Sequence, residues 1–329
     1  MFRKIALFSV LLALVVVVLG AYVRLSHAGL GCPDWPGCYG HLVGVPESLS
    51  EIDSANETYP QRAVESDKAW KEVIHRYFAA VLGLLILLLA ILGIKNRGDP
   101  KQPVWLPIIL VGLVIFQALL GMWTVTLLLK PAIVMLHLLG GLTIVALLWL
   151  LVLRSSRQSD TTSSDNKKLT PVLYLGLILL IGQIALGGWT STNYAALACP
   201  DFPTCQGEWW PETDFKEGFV FWRGLGQNYE FGVLDNPART AIHLSHRMFA
   251  IVVTVFWLFL IFRIIKNNKL SANLRQLAPI TLLFLLAQVA LGVSNVVMSL
   301  PISIAVMHNG GAALLLLSIV TLIYYSRLE

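Results

Sequence analysis

Residues 71–94, KEVIHRYFAAVLGLLILLLAILGI, and residues 242–265, IHLSHRMFAIVVTVFWLFLIFRII, are two versions of one segment. Each opens on a polar turn, places a histidine followed by an arginine, and continues as an apolar run about as long as a bilayer-crossing helix. Their offset of 171 carries His75 onto His246, Arg76 onto Arg247 and Phe78 onto Phe249. The same offset carries Gln117 onto Gln288, Gly121 onto Gly292, His137 onto His308 and Gly140 onto Gly311. Upstream, an offset of 167 carries CPDWPGC (Cys32 to Cys38) onto CPDFPTC (Cys199 to Cys205). The chain therefore reads as a duplicated unit with two repeat-matched histidines per copy.

The composition belongs to a membrane protein. Hydrophobic residues make up 56%, charged residues 13%, and the mean hydropathy is +0.71. Eight stretches are long enough to span a bilayer, at roughly 5–25, 74–94, 104–126, 132–153, 170–189, 243–264, 276–297 and 303–325. The first follows Arg3 and Lys4 as a signal peptide would. It lacks a small-residue cleavage site and has a counterpart in the fifth span, so we read it as retained.

The connecting segments divide by charge. The N-terminus, 95–103, 154–169, 263–275 and the C-terminus carry 14 Lys/Arg against 4 Asp/Glu, and all other segments carry 10 against 15. Basic loops stay cytoplasmic, so both termini are expected inside a bacterial-type inner membrane, with the loops 27–73 and 190–242 outside. The pI near 9.0 then reflects topology and gives no reason to expect nucleic acid as a partner.

All four cysteines fall in the two outer loops, as C-x5-C pairs. On an oxidising face such pairs read as disulfides, Cys32–Cys38 and Cys199–Cys205, with a redox role as the alternative. Zinc favours shorter spacings and more ligands.

The polar stretch from Arg154 to Lys168 reads as a linker between repeats 1–165 and 166–329. The expected fold is all-α and membrane-integral, with eight spans as two four-helix bundles. Both copies begin on the same side, so the repeats run parallel about a pseudo-twofold axis along the membrane normal. Gly20, Gly187, Gly121 and Gly292 are read as sites of close helix approach.

An imidazole within hydrocarbon needs a partner. His75 and His137 open spans from the same side, and His246 and His308 repeat that placement. Two facing imidazoles at one depth can supply both axial ligands of a haem iron held between helices. A bare zinc or copper ion would need more donors than each half offers. His27 and His41 lack counterparts and are expected in solvent. His243 lies one turn before His246, and its counterpart is Glu72. A carboxylate beside one site could act as acid or base, or be a first-turn acid favoured by the helix dipole. Arg76 and Arg247 are candidates for haem propionates, or for headgroups or an acidic loop residue. Trp209 and Trp210 read as interfacial aromatics that could also cover a haem edge.

Taken together, GLGCPDWPGC, ALACPDFPTC, EVIHR, QALLGMWTVTLLLKPAIVMLH, LSHR, and QVALGVSNVV followed by MHNGG resemble the haem A synthase family over essentially the whole chain. The resemblance implies haem b as a cofactor on His246 and His308. It also implies haem O as a substrate at His75 and His137, with Glu72 as the catalytic acid. The implied reaction oxidises the C8 methyl of haem O to formyl through successive hydroxylations. A bis-histidine iron has no vacant position for oxygen. The reaction therefore needs either release of a first-half ligand or a route without oxygen on that iron. No dinucleotide motif is present, so the electron donor is expected to be a quinol or a protein. A haem O synthase that delivers the substrate is a candidate partner, and homo-oligomer formation is left open. The alternatives are a diheme b-type, quinol-linked electron-transfer protein and a haem carrier or exporter.

Overall fold

The computed structural model describes residues 1–99, 102–155 and 164–327. Its helices are α1 (Phe2–Leu25), α2 (Leu49–Thr58), α3 (Ser66–Lys95), α4 (Trp105–Thr126), α5 (Pro131–Arg154), α6 (Ser164–Thr192), α7 (Phe215–Gly218), α8 (Asn236–Lys266), α9 (Ala272–Val297) and α10 (Ile302–Arg327). All except α2 and α7 are long and apolar enough to cross a membrane, giving eight spans. The described residues form no strand, only the single bridges Cys38–His41 and Cys205–Glu208. The protein is all-α and multi-pass.

The span starts at 74 and 243 need correction. α3 begins at Ser66 and α8 at Asn236, because their first turns are polar and escape a hydropathy reading while still being good helix. An i,i+4 pair joins Lys71 to Asp67 at 2.5 Å, and the Asp235 side chain caps α8 by accepting from the Ala238 amide at 3.1 Å. At about 1.5 Å per residue, His75 lies about 14 Å into its helix instead of opening it. The linker is also shorter than expected. α6 starts at Ser164, so the expected boundary after residue 165 falls in its first turn, and residues 156–163 of that linker lie outside the described residues.

Each set of four spans closes into a ring. In the first, α1 packs on α3, α3 on α4, α4 on α5, and α5 on α1; α6, α8, α9 and α10 repeat that order. Between the rings, α1 meets α10, α6 meets α5, and α5 meets α10. Exchanging the repeats leaves this pattern unchanged, as a twofold axis requires. Residues at equivalent positions meet along the axis. The Tyr324 hydroxyl donates to the Leu153 carbonyl at 3.0 Å across a separation of 171, and Arg24 Nη2 donates to the Ser191 carbonyl at 2.7 Å across 167. His27, exposed as expected, also stacks on Tyr194, the residue at its matching position in the second repeat, with ring centroids 5.9 Å apart.

Candidate functional site

α3 and α5 do not pack on one another; they face across the diagonal of the first ring, as α8 and α10 do in the second. These are the helices that carry the histidines. α3 carries His75 and α5 carries His137, while α8 carries His246 and α10 carries His308, so the two histidines of each half stand on helices facing across one ring.

The glycines have a more specific task than close helix approach. A Cβ on Gly20 of α1 would stand 3.0 Å from His75 Cε1, and one on Gly121 of α4 would stand 3.3 Å from His137 Cε1. In the second ring, Gly187 and Gly292 would each place a Cβ 3.1 Å from Cε1 of His246 and His308. Every histidine thus has a glycine from the neighbouring helix behind its ring. These are imidazole cradles as much as helix contacts.

Glutamines complete the slots. Gln117 Nε2 donates to the His137 carbonyl at 2.6 Å, and Gln288 Nε2 lies 3.3 Å from His308 Nε2. Nδ1 of His75, His137 and His308, and Oε1 of Gln117, Gln183 and Gln288, are buried without a partner. Unsatisfied buried polar atoms are uncommon and call for an explanation. Two imidazoles across a diagonal, each cradled by glycine, fit a planar metal macrocycle that brings its own equatorial donors. Among the described residues no three His, Cys, Asp or Glu side chains gather as a site for a bare ion.

Glu72 and His243 occupy equivalent places and do equivalent structural work. Glu72 is 5% exposed; its Oε2 accepts the Cys32 amide at 3.0 Å and its Oε1 accepts from Arg76 Nη2 at 2.5 Å. His243, 4% exposed, has Nδ1 3.3 Å from the Cys199 amide and Nε2 3.2 Å from Arg247 Nε, and as a neutral imidazole it accepts from one of these two donors. Glu72 is the seventh residue of α3, which rules out the first-turn dipole reading.

Arg76 and Arg247 turn towards the cysteine loops. Arg76 also donates to the carbonyls of Asp34, Pro36 and Gly37, and Arg247 to those of Thr204 and Cys199. Both loops close through disulfides, Cys32–Cys38 and Cys199–Cys205, whose residues are almost fully buried. Trp209 and Trp210 are exposed, as interfacial aromatics would be.

Three contributors escaped the sequence reading. Gln183 reaches His246, with Nε2 3.1 Å from its Nδ1. Lys130 is buried; its ammonium donates to the carbonyls of Arg223 and Gly224 and lies 3.7 Å above the Trp222 ring. It thereby ties the second long loop to the turn preceding α5. Arg24 bridges the repeats. Gln183 and Arg24 could have been found by aligning α1 with α6, where they stand opposite Val16 and Ser191.

A model of the cytochrome oxidase assembly protein family (COX15-CtaA) matches residues 3–320. The chain is 47% identical to a haem A synthase of Shewanella oneidensis over 318 residues, covering 96% of this chain and 94% of that protein. It is 26% identical to a haem A synthase of Shouchella clausii, covering 98% and 95% of the two chains. A haem A synthase of Caulobacter vibrioides is 25% identical, with 95% and 93% covered.

Proposed function

Because the chain belongs to the cytochrome oxidase assembly protein family, we propose that it carries out the haem A synthase reaction, oxidising the C8 methyl of haem O to a formyl group. Two successive hydroxylations convert the methyl to a gem-diol, and loss of water leaves the aldehyde. The observation that carries this reading is the chemical difference between two otherwise matched slots. One has the carboxylate of Glu72 a turn before its histidine, and the other has His243.

In this reading His75 and His137 hold haem O as substrate, and His246 and His308 hold haem b. Bound there, haem b would supply one-electron transfer. Gly20, Gly121, Gly187 and Gly292 set the imidazole positions. Glu72, one turn from His75, lies on the substrate side to take or give a proton during oxidation. Arg76 and the Cys32 amide hold that carboxylate in one orientation. Each guanidinium has five N–H donors, and Arg76 and Arg247 each keep at least one beyond those used on the loops and on Glu72 or His243, which leaves a propionate role open to both. Electrons come from a quinol or a protein partner, and haem O from its membrane-bound synthase. The charge division between loops supports cytoplasmic termini and external cysteine loops in a bacterial inner membrane.

Extraction of porphyrins from the purified protein tests the reading. Haem B together with haem O or haem A is expected; haem B alone at two per chain would favour the diheme electron carrier. His246→Ala or His308→Ala should remove the b-type spectrum. His75→Ala should keep it and abolish haem A formation. Equal loss of one spectral species in all these variants would refute the division between halves.

A further inference from the structure

The repeats also differ at the loop-side rim of the slots. Gly20 of α1 and Gly187 of α6 occupy equivalent positions, each behind a histidine. One turn nearer the cysteine loop, on the same helix face, α1 carries Arg24 and α6 carries Ser191. Arg24 Nη2 donates to the Ser191 carbonyl at 2.7 Å, and its guanidinium carbon lies 4.1 Å from the Tyr194 ring centroid. A guanidinium has five N–H donors, so that carbonyl leaves most of them for another acceptor. Among the described residues no carboxylate pairs with Arg24; Glu72 is paired with Arg76, and Glu230 with Arg62. A cation among membrane helices is costly without an anion.

The charges of the two rims point to the anion. In the first slot the carboxylate of Glu72 balances Arg76. In the second, Arg247 stands beside His243, which carries no negative charge, and so keeps its own charge unbalanced. Asp34 and Asp201 occur in both repeats, each bound to amides of its own loop, and cancel in the comparison. Without Arg24 the first rim would hold no net positive charge; with it, each rim holds one. Lys130, at the start of α5, is already engaged by the Arg223 and Gly224 carbonyls and the Trp222 ring. We propose that Arg24 is a binding residue of the first slot and that its ligand is a propionate carboxylate of haem O. The inference rests on the reading of that slot as the substrate site. Glu72 sets a negative charge beside the place where the propionates must settle, and Arg24 offsets it from the neighbouring helix. Its planar fork suits a carboxylate, which it can hold through two parallel bonds.

The test titrates the full-length protein in detergent, with its haem b in place, with haem O and with haem O whose two propionates are methyl esters. Binding is read from the optical spectrum. The unsubstituted chain should bind the acid roughly 10–100-fold more tightly than the ester. Arg24→Gln should lower that ratio by roughly tenfold, by weakening the acid and leaving the ester unchanged. Glutamine can still donate to the Ser191 carbonyl, so the bridge between repeats is retained. A merely structural bridge would instead weaken acid and ester alike and keep the ratio. Arg24→Met, apolar and suited to a membrane helix, is the second variant should the first fail to fold, with the same expected fall. Equal affinity of the unsubstituted chain for acid and ester, or a ratio that survives the substitution, would overturn the proposal. Binding of haem O that persists in His75→Ala would instead overturn the assignment of the substrate to the first slot.

Discussion

Replacement of Glu72 by histidine separates a catalytic carboxylate from a structural one, because the second repeat already contains the result. His243 stands in the place of Glu72 with contacts of 3.3 and 3.2 Å, only one of which a neutral imidazole can accept, in place of two bonds to a carboxylate at 3.0 and 2.5 Å. Hydrogen bonds to charged groups contribute about 1.5–3 kcal/mol and neutral ones about 0.5–1.5 kcal/mol. Glu72→His should therefore lower stability by roughly 3 kcal/mol, one bond being lost and one weakened, and leave the cysteine loop attached. Turnover should fall far more, by roughly 100-fold or greater, as loss of a general acid or base does. Chromatography of porphyrins extracted from membranes reads haem O against haem A, and denaturation in detergent reads stability. The expected pattern is a modest loss of stability, an intact b-type spectrum and accumulated haem O or its hydroxylated intermediate. Near-normal haem A from Glu72→His would remove Glu72 from the chemistry and leave it as the anchor of the Cys32 amide.

Gly187→Ala should disturb the b-type spectrum and reduce haem b content, because the new Cβ forces the His246 ring to move by a few tenths of an ångström from a 3.1 Å contact. Gly112→Ala, with nothing within 4 Å of the added carbon, is the control and should be neutral or stabilising by about 0.5–1 kcal/mol. Equal spectra for the two variants would show that the cradle is not tight. Reporter fusions after residue 97 should report from the cytoplasm and those near residue 50 from outside; a cytoplasmic signal from the second would reverse the topology.

The eight spans, the repeat and the histidine pairs were legible because hydrophobic length and internal offset are properties of the sequence itself. The first turns of α3 were not, since Ser66 to Val73 mixes charge with apolar residues and its helicity depends on local pairs such as Lys71–Asp67. The partner of Glu72 was hidden because it is a backbone amide 40 residues away, and an amide carries no sequence signature. The glycines were read as helix contacts, without the imidazoles they also accommodate. Spacing shows that room is needed, not whether a helix or an imidazole fills it. Gln183 was overlooked because attention to matched positions hides the mismatched ones.

The axis between the repeats has an evolutionary consequence. In a symmetric pair of identical chains, any residue on the twofold meets its own copy, so an arginine at position 24 would face an arginine. Two guanidinium groups at that distance repel, even though each could still reach the other residue's main-chain carbonyl. Here Arg24 faces the Ser191 carbonyl and lies 4.1 Å from the Tyr194 ring centroid, and His27 faces Tyr194. Such unlike side chains on an axis are closed to a pair of identical chains. Covalent joining of the copies released these positions from self-complementarity, and the same release let a carboxylate diverge from a histidine at the two slots.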